Sequence, residues 1–204
     1  MEHDPLHAMW KDRPEAPAGA RTPVAALLDN LRSAYNVGDI FRSADALRLE
    51  RLYLAGISAF PPNGKLEKTA LGATASVPWT HDLRVFDAVA RARADGFALV
   101  AVERTPSSAS VFEWEGPTRC CFVFGHEVLG VDRELLRQAD AVLHLPMLGL
   151  KNSLNVASSA AALLYQHCAR QGLLPAGAPQ LGDSYLPDRR EGGPDSGPQG
   201  DSAR

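Results

Sequence analysis

VAALLDNLRSAYNVGDIFRSADALRLERLYLAG occupies residues 24–56 and carries two different hydrophobic periods. VAALL (24–28) and RLYLAG (51–56) are short apolar runs bounded by polar residues or glycine, the pattern of a buried strand. Between them, Val37, Ile40, Phe41, Ala44 and Leu47 fall on one stripe of a 3.6-residue period, which predicts a helix over 36–47. Strand, helix, strand at this spacing argues for a parallel sheet covered by helices.

The same alternation continues outward. A short helix is expected over 65–71 and a longer one over 83–95, ended by Gly96. FALVAVE (97–103) and CCFVFG (120–125) are unbroken apolar runs, as expected for strands buried on both faces. A helix over 132–138 has Asp132 as a possible N-cap, and AVLHLPM (141–147) is a further strand. The last helix grows out of GLKNSLNVASSAAALL (149–164). The fold class read from this pattern is α/β, a three-layer arrangement around a parallel sheet.

The chain has 204 residues, 45% of them hydrophobic and 22% charged, enough for one domain with a buried core. Residues 1–21 contain Pro5, Pro14 and Pro17 without an apolar period and are expected to form a flexible arm. Residues 22–174 form the expected domain. Residues 175–204 are rich in Gly, Pro, Asp and Ser and are expected to be disordered. That tail carries a charge of −2, so of the net −3 only −1 belongs to the remainder. Near-neutrality does not announce a nucleic-acid binder, yet local clusters of Arg and Lys decide that question. No apolar run is long enough to cross a bilayer, and no signal-peptide pattern opens the chain. Cys120, Cys121 and Cys168 are odd in number and include an adjacent pair. They form neither a disulfide framework nor a CxxC zinc pair, which points to a reducing cytoplasm.

Parallel α/β sheets gather ligands at the loops after the strands' carboxyl ends. Here those loops are 29–38, 103–110, 125–132 and 147–155, each polar and containing Gly, Asn or Ser. GxGxxG and GxxxxGK[ST] are both absent, and in HEVLG the second histidine of a zinc HExxH motif is replaced by Gly130. No metal site is expected. Taken singly, the polar residues have plain readings. Arg42 leaves the apolar stripe of its helix and suits a solvated surface. Asn36 suits a helix cap, and Glu127 suits a loop carboxylate or a first-turn acid. His126 suits a loop. Ser153 would cap the last helix, leaving Asn155 inside its first turn, where Asn is a poor helix former.

Read together, three segments say more. NLRSAYNVGDIFRSADAL (30–47), FVFGHEVLGV (122–131) and LPMLGLKNSLNVASSAAAL (145–163) occur in this order. They resemble the three motifs of the SpoU/TrmH branch of the SPOUT RNA methyltransferases. KTALGAT (68–74) and AVERTP (101–106) also look like that branch, so the resemblance covers about residues 22–172.

The resemblance implies a deep trefoil knot near the C-terminus, which periodicity alone would never suggest because knots are rare. It implies a homodimer, with Asn36 and Arg42 of one chain facing the cofactor pocket of the other. It implies S-adenosylmethionine as methyl donor and a ribose 2′-hydroxyl of tRNA or rRNA as acceptor. Matching residues would be Asn36, Arg42, Glu127, Ser153 and Asn155 for catalysis. Thr105, Gly125, Gly130, Leu145, Met147, Ser153 and Leu154 would hold the cofactor, largely through backbone. Arg42 would act as a fork on the target phosphate and on developing charge at the 2′-oxygen, since a guanidinium stays protonated and is a poor base. Glu127 would orient Arg42 or Asn36. Two other classes remain. One is an RNA-binding or assembly protein that keeps the fold without the activity. The other is a small-molecule hydrolase built on His126 and Glu127, which lacks a GxSxG nucleophile elbow.

Overall fold

A computed structural model of the chain describes residues 20–174. The arm (1–21) lies almost wholly outside these residues, and the tail (175–204) entirely so. Strand β1 (Thr22–Asp29), helix α1 (Ala34–Ala46) and strand β2 (Leu49–Ala55) form the unit expected from the first stretch. Two short helices follow, α2 (Gly64–Ala70) and α3 (Ala73–Ser76), then β3 (Trp79–Asp82) and α4 (Val85–Ala94). The second half runs β4 (Ala98–Val102), β5 (Ala109–Ser110), β6 (Cys120–Phe124), α5 (Arg133–Gln138), β7 (Ala141–His144) and α6 (Val156–Arg170).

The seven strands form one sheet in the order β3-β2-β1-β6-β4-β7-β5, with every pair parallel. Alternation along the central strands sorts side chains to two faces. Val24, Ala26 and Leu28 of β1 join Phe122 and Phe124 of β6 against Val37, Ile40 and Phe41 of α1 and Leu163, Leu164 and Cys168 of α6. Ala25, Leu27, Cys121 and Val123 face the other way, onto Ala88, Val89 and Ala92 of α4 and Leu135 of α5. Helices therefore cover both faces, and Cys120 and Cys121 are core residues on opposite sides. Gly38 lets α1 and α2 touch closely, because a methyl there would overlap the Leu66 carbonyl and the Thr69 hydroxyl.

The structure corrects two helix starts. Helix α1 begins at Ala34, and its cap is Ser33, whose hydroxyl accepts from the Asn36 N–H at 3.3 Å. Asn36 therefore lies inside the first turn. Helix α6 begins at Val156, and its cap is Asn155, which accepts from the Ala157 and Ser158 N–H groups at 2.9 and 3.3 Å. Ser153 stays in the preceding loop.

Candidate functional site

The strand order explains where the polar loops meet. β1 and β6 are neighbours, with Leu28 opposite Phe124, and β4 lies beyond β6, with Val102 opposite Phe124. β7 follows, with Leu143 opposite Val102. The loops leaving the carboxyl ends of β4, β6 and β7 therefore converge, and the loop leaving β1 stands beside that of β6. Between the three converging loops and the start of α6 lies an open cleft of about 1070 Å³. Its size is just above the range of roughly 300–1,000 Å³ typical of small-molecule sites.

All the residues expected to hold a cofactor line this cleft: Thr105, Gly125, Gly130, Leu145, Met147, Ser153 and Leu154. Each loop is held by its own bonds. After β4, the Thr105 N–H donates to Ser108 Oγ at 3.0 Å, and that hydroxyl donates to Thr105 O at 2.8 Å. Because the single hydroxyl proton is thereby committed, His144 Nδ1, 3.0 Å from the same oxygen, is the donor of that pair. After β6, residues 126–130 form a tight turn in which the Val128 and Leu129 N–H groups donate to His126 Nδ1. His126 is thus a loop-forming residue, as its plain reading had it. Gly125 admits no side chain, since a methyl would overlap the Gly130 and Val131 backbone. Gly130 has φ +73° and abuts the Glu103 carboxylate, which accepts from the Val131 N–H at 3.0 Å. Glu103 thereby ties the β4 loop to the β6 loop. Its one visible sequence signal was its place in AVERTP, which gave no hint of that partner.

Glu127 is the hub between this cleft and α1. Its Oε2 accepts from the Arg32 N–H at 2.9 Å, and its Oε1 accepts from the Ser33 N–H at 3.0 Å and Asn36 Nδ2 at 3.2 Å. Asn36 Oδ1 in turn accepts from Asn155 Nδ2 at 3.1 Å. Partial burial pushes the Glu127 pKa up, but the donors from Arg32, Ser33 and Asn36 outweigh it and leave the carboxyl below its ordinary value. Glu127 is therefore an anion in place, a weak base with three of its acceptor positions filled. It opposes the positive end of α1 from another loop.

The five expected catalytic residues separate into two groups. Glu127, Asn36 and Asn155 are one hydrogen-bonded chain, and Ser153 lines the cleft beside it. Arg42 is apart. It is exposed, lies outside the cleft lining, and has no side-chain partner among the described residues. Within one chain Glu127 bonds Asn36 and not Arg42, which lies nearly two helical turns further along α1. Asn36 is held by Glu127 and Asn155 of the same chain. Among the described residues no cluster of His, Cys, Asp and Glu suits a metal ion. No described helix is long and apolar enough to cross a membrane.

Comparison with known proteins follows the same outline. Residues 23–165 match the SpoU rRNA Methylase family. Over 168 residues the chain is 27% identical to the tRNA (guanosine(18)-2′-O)-methyltransferase of Escherichia coli (strain K12), covering 80% of this chain and 70% of that one. It is 31% identical over 147 residues to the 23S rRNA (uridine(2479)-2′-O)-methyltransferase of Streptomyces viridochromogenes, covering 70% of this chain and 51% of that one. The structure superposes on the AdoMet-bound rRNA methyltransferase from Sinorhizobium meliloti with a TM-score of 0.69 and 25% identity. That match covers 76% of this chain and 59% of the other. The chain thus spans between about half and 70% of the length of these relatives.

Proposed function

Because the chain belongs to the SpoU rRNA methylase family, we propose that it methylates a ribose 2′-hydroxyl of tRNA or rRNA with S-adenosylmethionine as donor. The observation that carries this reading is the junction of a ligand-sized cleft with the Glu127–Asn36–Asn155 chain. The cleft fits the donor molecule, since Gly125 and Gly130 line it without side chains of their own, and Leu145, Met147 and Leu154 supply apolar contact. Bound there, S-adenosylmethionine supplies a methyl group activated by its sulfonium.

The protein's own groups divide the remaining work. An Asn amide has two N–H donors and two oxygen lone pairs. Asn36 uses one of each on Glu127 and Asn155, so one N–H and one lone pair remain to hold the target ribose or its phosphate. Glu127 keeps that amide from rotating. Its depressed pKa makes it unsuited to remove the 2′-proton, so the proton leaves through the substrate phosphate or a water. Arg42, planar and always charged, grips the target phosphate and stabilises negative charge on the 2′-oxygen.

Arg42 lies outside the cleft of its own chain, which supports a homodimer in which it serves the cleft of a second copy. The family also implies a deep trefoil knot formed by the loops around the cleft. We place the protein in the cytoplasm and the catalytic domain within residues 22–174. The test is methyl transfer from labelled S-adenosylmethionine to RNA, with mapping of 2′-O-methyl positions in RNA from a deletion strain. Cofactor binding without methylated RNA would favour a non-catalytic RNA-binding protein. For assembly, Arg42→Ala chains are mixed with Asn155→Ala chains. Activity should return in heterodimers if the sites are shared, and its absence would place each site within one chain.

A further inference from the structure

A second groove, of about 590 Å³, has the Arg32–Ser33 segment in its lining. Arg32 and Ser33 line the groove, while their N–H groups are held by Glu127, which lines the cleft. The two depressions are therefore joined through Glu127. The groove's sides combine two cations, Arg32 and Lys65, with Tyr35, Ile57 and Phe60. Neither cation has a side-chain partner among the described residues, in contrast to Arg91 and Arg119, which are tied to Asp82 and Glu50. No carboxylate lines the groove among the described residues.

Its apolar members are unusually open for a packed domain. Ile57 is 66% exposed, Tyr35 45% and Phe60 44%. Phe60 is nonetheless held in place, with its ring centroid 4.2 Å from that of His81. The two walls are also joined: the Leu31 N–H donates to Ser58 Oγ at 2.9 Å, Ser58 Oγ donates to Leu28 O at 2.9 Å, and the Ile57 N–H donates to Asn30 Oδ1 at 3.1 Å. A rigid groove with an aromatic face, flanking cations and no acid matches one ligand chemistry, a nucleotide of single-stranded RNA. The base has a π-face to lay on an aromatic ring, and its phosphates meet the two cations.

We propose that this groove is an RNA subsite that holds a nucleotide flanking the one to be methylated, with its base on Phe60 and Ile57 and its phosphates between Arg32 and Lys65. The flanking position rests on the methyltransferase reading, but binding in the groove is measurable without methyl transfer. The link through Glu127 gives it a use. A nucleotide seated in the groove places its neighbour's ribose against Asn36.

The test uses the full chain and three variants: Phe60→Leu, Lys65→Gln, and Arg32→Gln with Lys65→Gln. Leucine keeps apolar cover on His81 but removes the ring face, and the two cations are exposed, so folding is checked by thermal melts. Anisotropy of a short fluorescein-labelled single-stranded RNA and of in vitro transcribed tRNA reads binding, calorimetry reads S-adenosylmethionine affinity, and a methyl-transfer assay runs alongside. Phe60→Leu should weaken RNA binding by about tenfold. The double cation variant should lower the slope of log Kd against log salt by about 1.4, roughly 0.7 for each lost phosphate contact on a single strand. Cofactor affinity should not change. If the variants bind RNA as the wild type does while methylation proceeds, the groove is no subsite and the methyltransferase reading stands. If they lose RNA binding as expected but the wild type methylates nothing, the subsite stands and the catalytic reading falls. A wild-type chain that binds neither RNA overturns the subsite.

Discussion

Glu127→Gln separates the anchoring role of this carboxylate from a role as base. The carboxylate accepts from three donors on two oxygens: Arg32 N–H on Oε2, and Ser33 N–H and Asn36 Nδ2 on Oε1. Glutamine offers one oxygen. In its better orientation it keeps Ser33 and Asn36 and turns its NH2 against the Arg32 N–H. One charge-assisted bond is lost and two become neutral. A hydrogen bond to a charged group contributes about 1.5–3 kcal/mol, and at an exposed site about half of that or less survives screening. The expected cost is about 1–2 kcal/mol. For a domain of this size it corresponds to a fall in Tm of about 2–8 °C. Turnover should drop further, by about tenfold to a hundredfold, because Asn36 is no longer fixed. The pH dependence discriminates more sharply. The folded-state pKa of Glu127 is lowered, so its contribution is fully present above the ordinary carboxyl range near about 4.3 and is lost as pH falls through the lowered value. Glutamine does not titrate. The difference in Tm between wild type and variant, followed by calorimetry, should therefore be full at neutral pH and shrink below that range. All other groups titrate alike in both proteins and cancel. A difference that stays constant down to pH about 3, well below the ordinary carboxyl range, would refute an anchoring role for the charge.

Arg42→Ala, at an exposed position with no partner among the described residues, should leave Tm unchanged and S-adenosylmethionine affinity unaltered by calorimetry. Its single-turnover methyl transfer should fall by about a hundredfold or more, and Arg42→Lys should rescue poorly because the planar fork is lost. Asn155→Asp retains acceptors for the Ala157 and Ser158 N–H groups but loses the donor to Asn36. Its melting temperature should hold while turnover falls at least about tenfold, whereas Asn155→Ala should also lose about 1 kcal/mol of cap stability in denaturant titrations. His167 is buried beside Trp114 and Phe122, and burial holds its pKa below the ordinary value against the bond to the Thr118 carbonyl. Its stabilising contribution is present above about pH 6.5 and is lost as pH falls through the folded value, so Tm should drop more steeply below that pH in the wild type than in His167→Phe.

The parallel α/β layering was legible because the central strands are buried on both faces and leave unbroken apolar runs, as in CCFVF. Two strands left no such trace. Trp79–Asp82 lies at the sheet edge with all four residues only partly buried, so WTHD shows neither an apolar run nor clean alternation. Ala109–Ser110 is two residues long and has no period at all. The strand order was equally silent. Apolar runs say that a strand is central, but the neighbouring of β1 and β6 depends on contacts between residues about a hundred positions apart.

The residues that line the cleft were legible as a set, but their geometry was not, and Asn155 shows why. Judged by helix propensity alone, an Asn after a Ser looks misplaced, because Ser153 already offers a capping oxygen. That judgement assumes the helix starts as early as it can. The chain instead stays extended through Asn155, at φ −56° and ψ 138°, so the same residue caps the helix with its oxygen and reaches Asn36 with its nitrogen. Serine has one oxygen for both tasks and a shorter reach, and aspartate has no donor. Only an amide meets both demands at once. The second demand comes from α1, which is 119 positions away in the chain. Local rules describe what a residue does for its own turn. They miss the partner that makes an apparently surplus side chain necessary, and in this protein that partner is where the cleft meets the first helix.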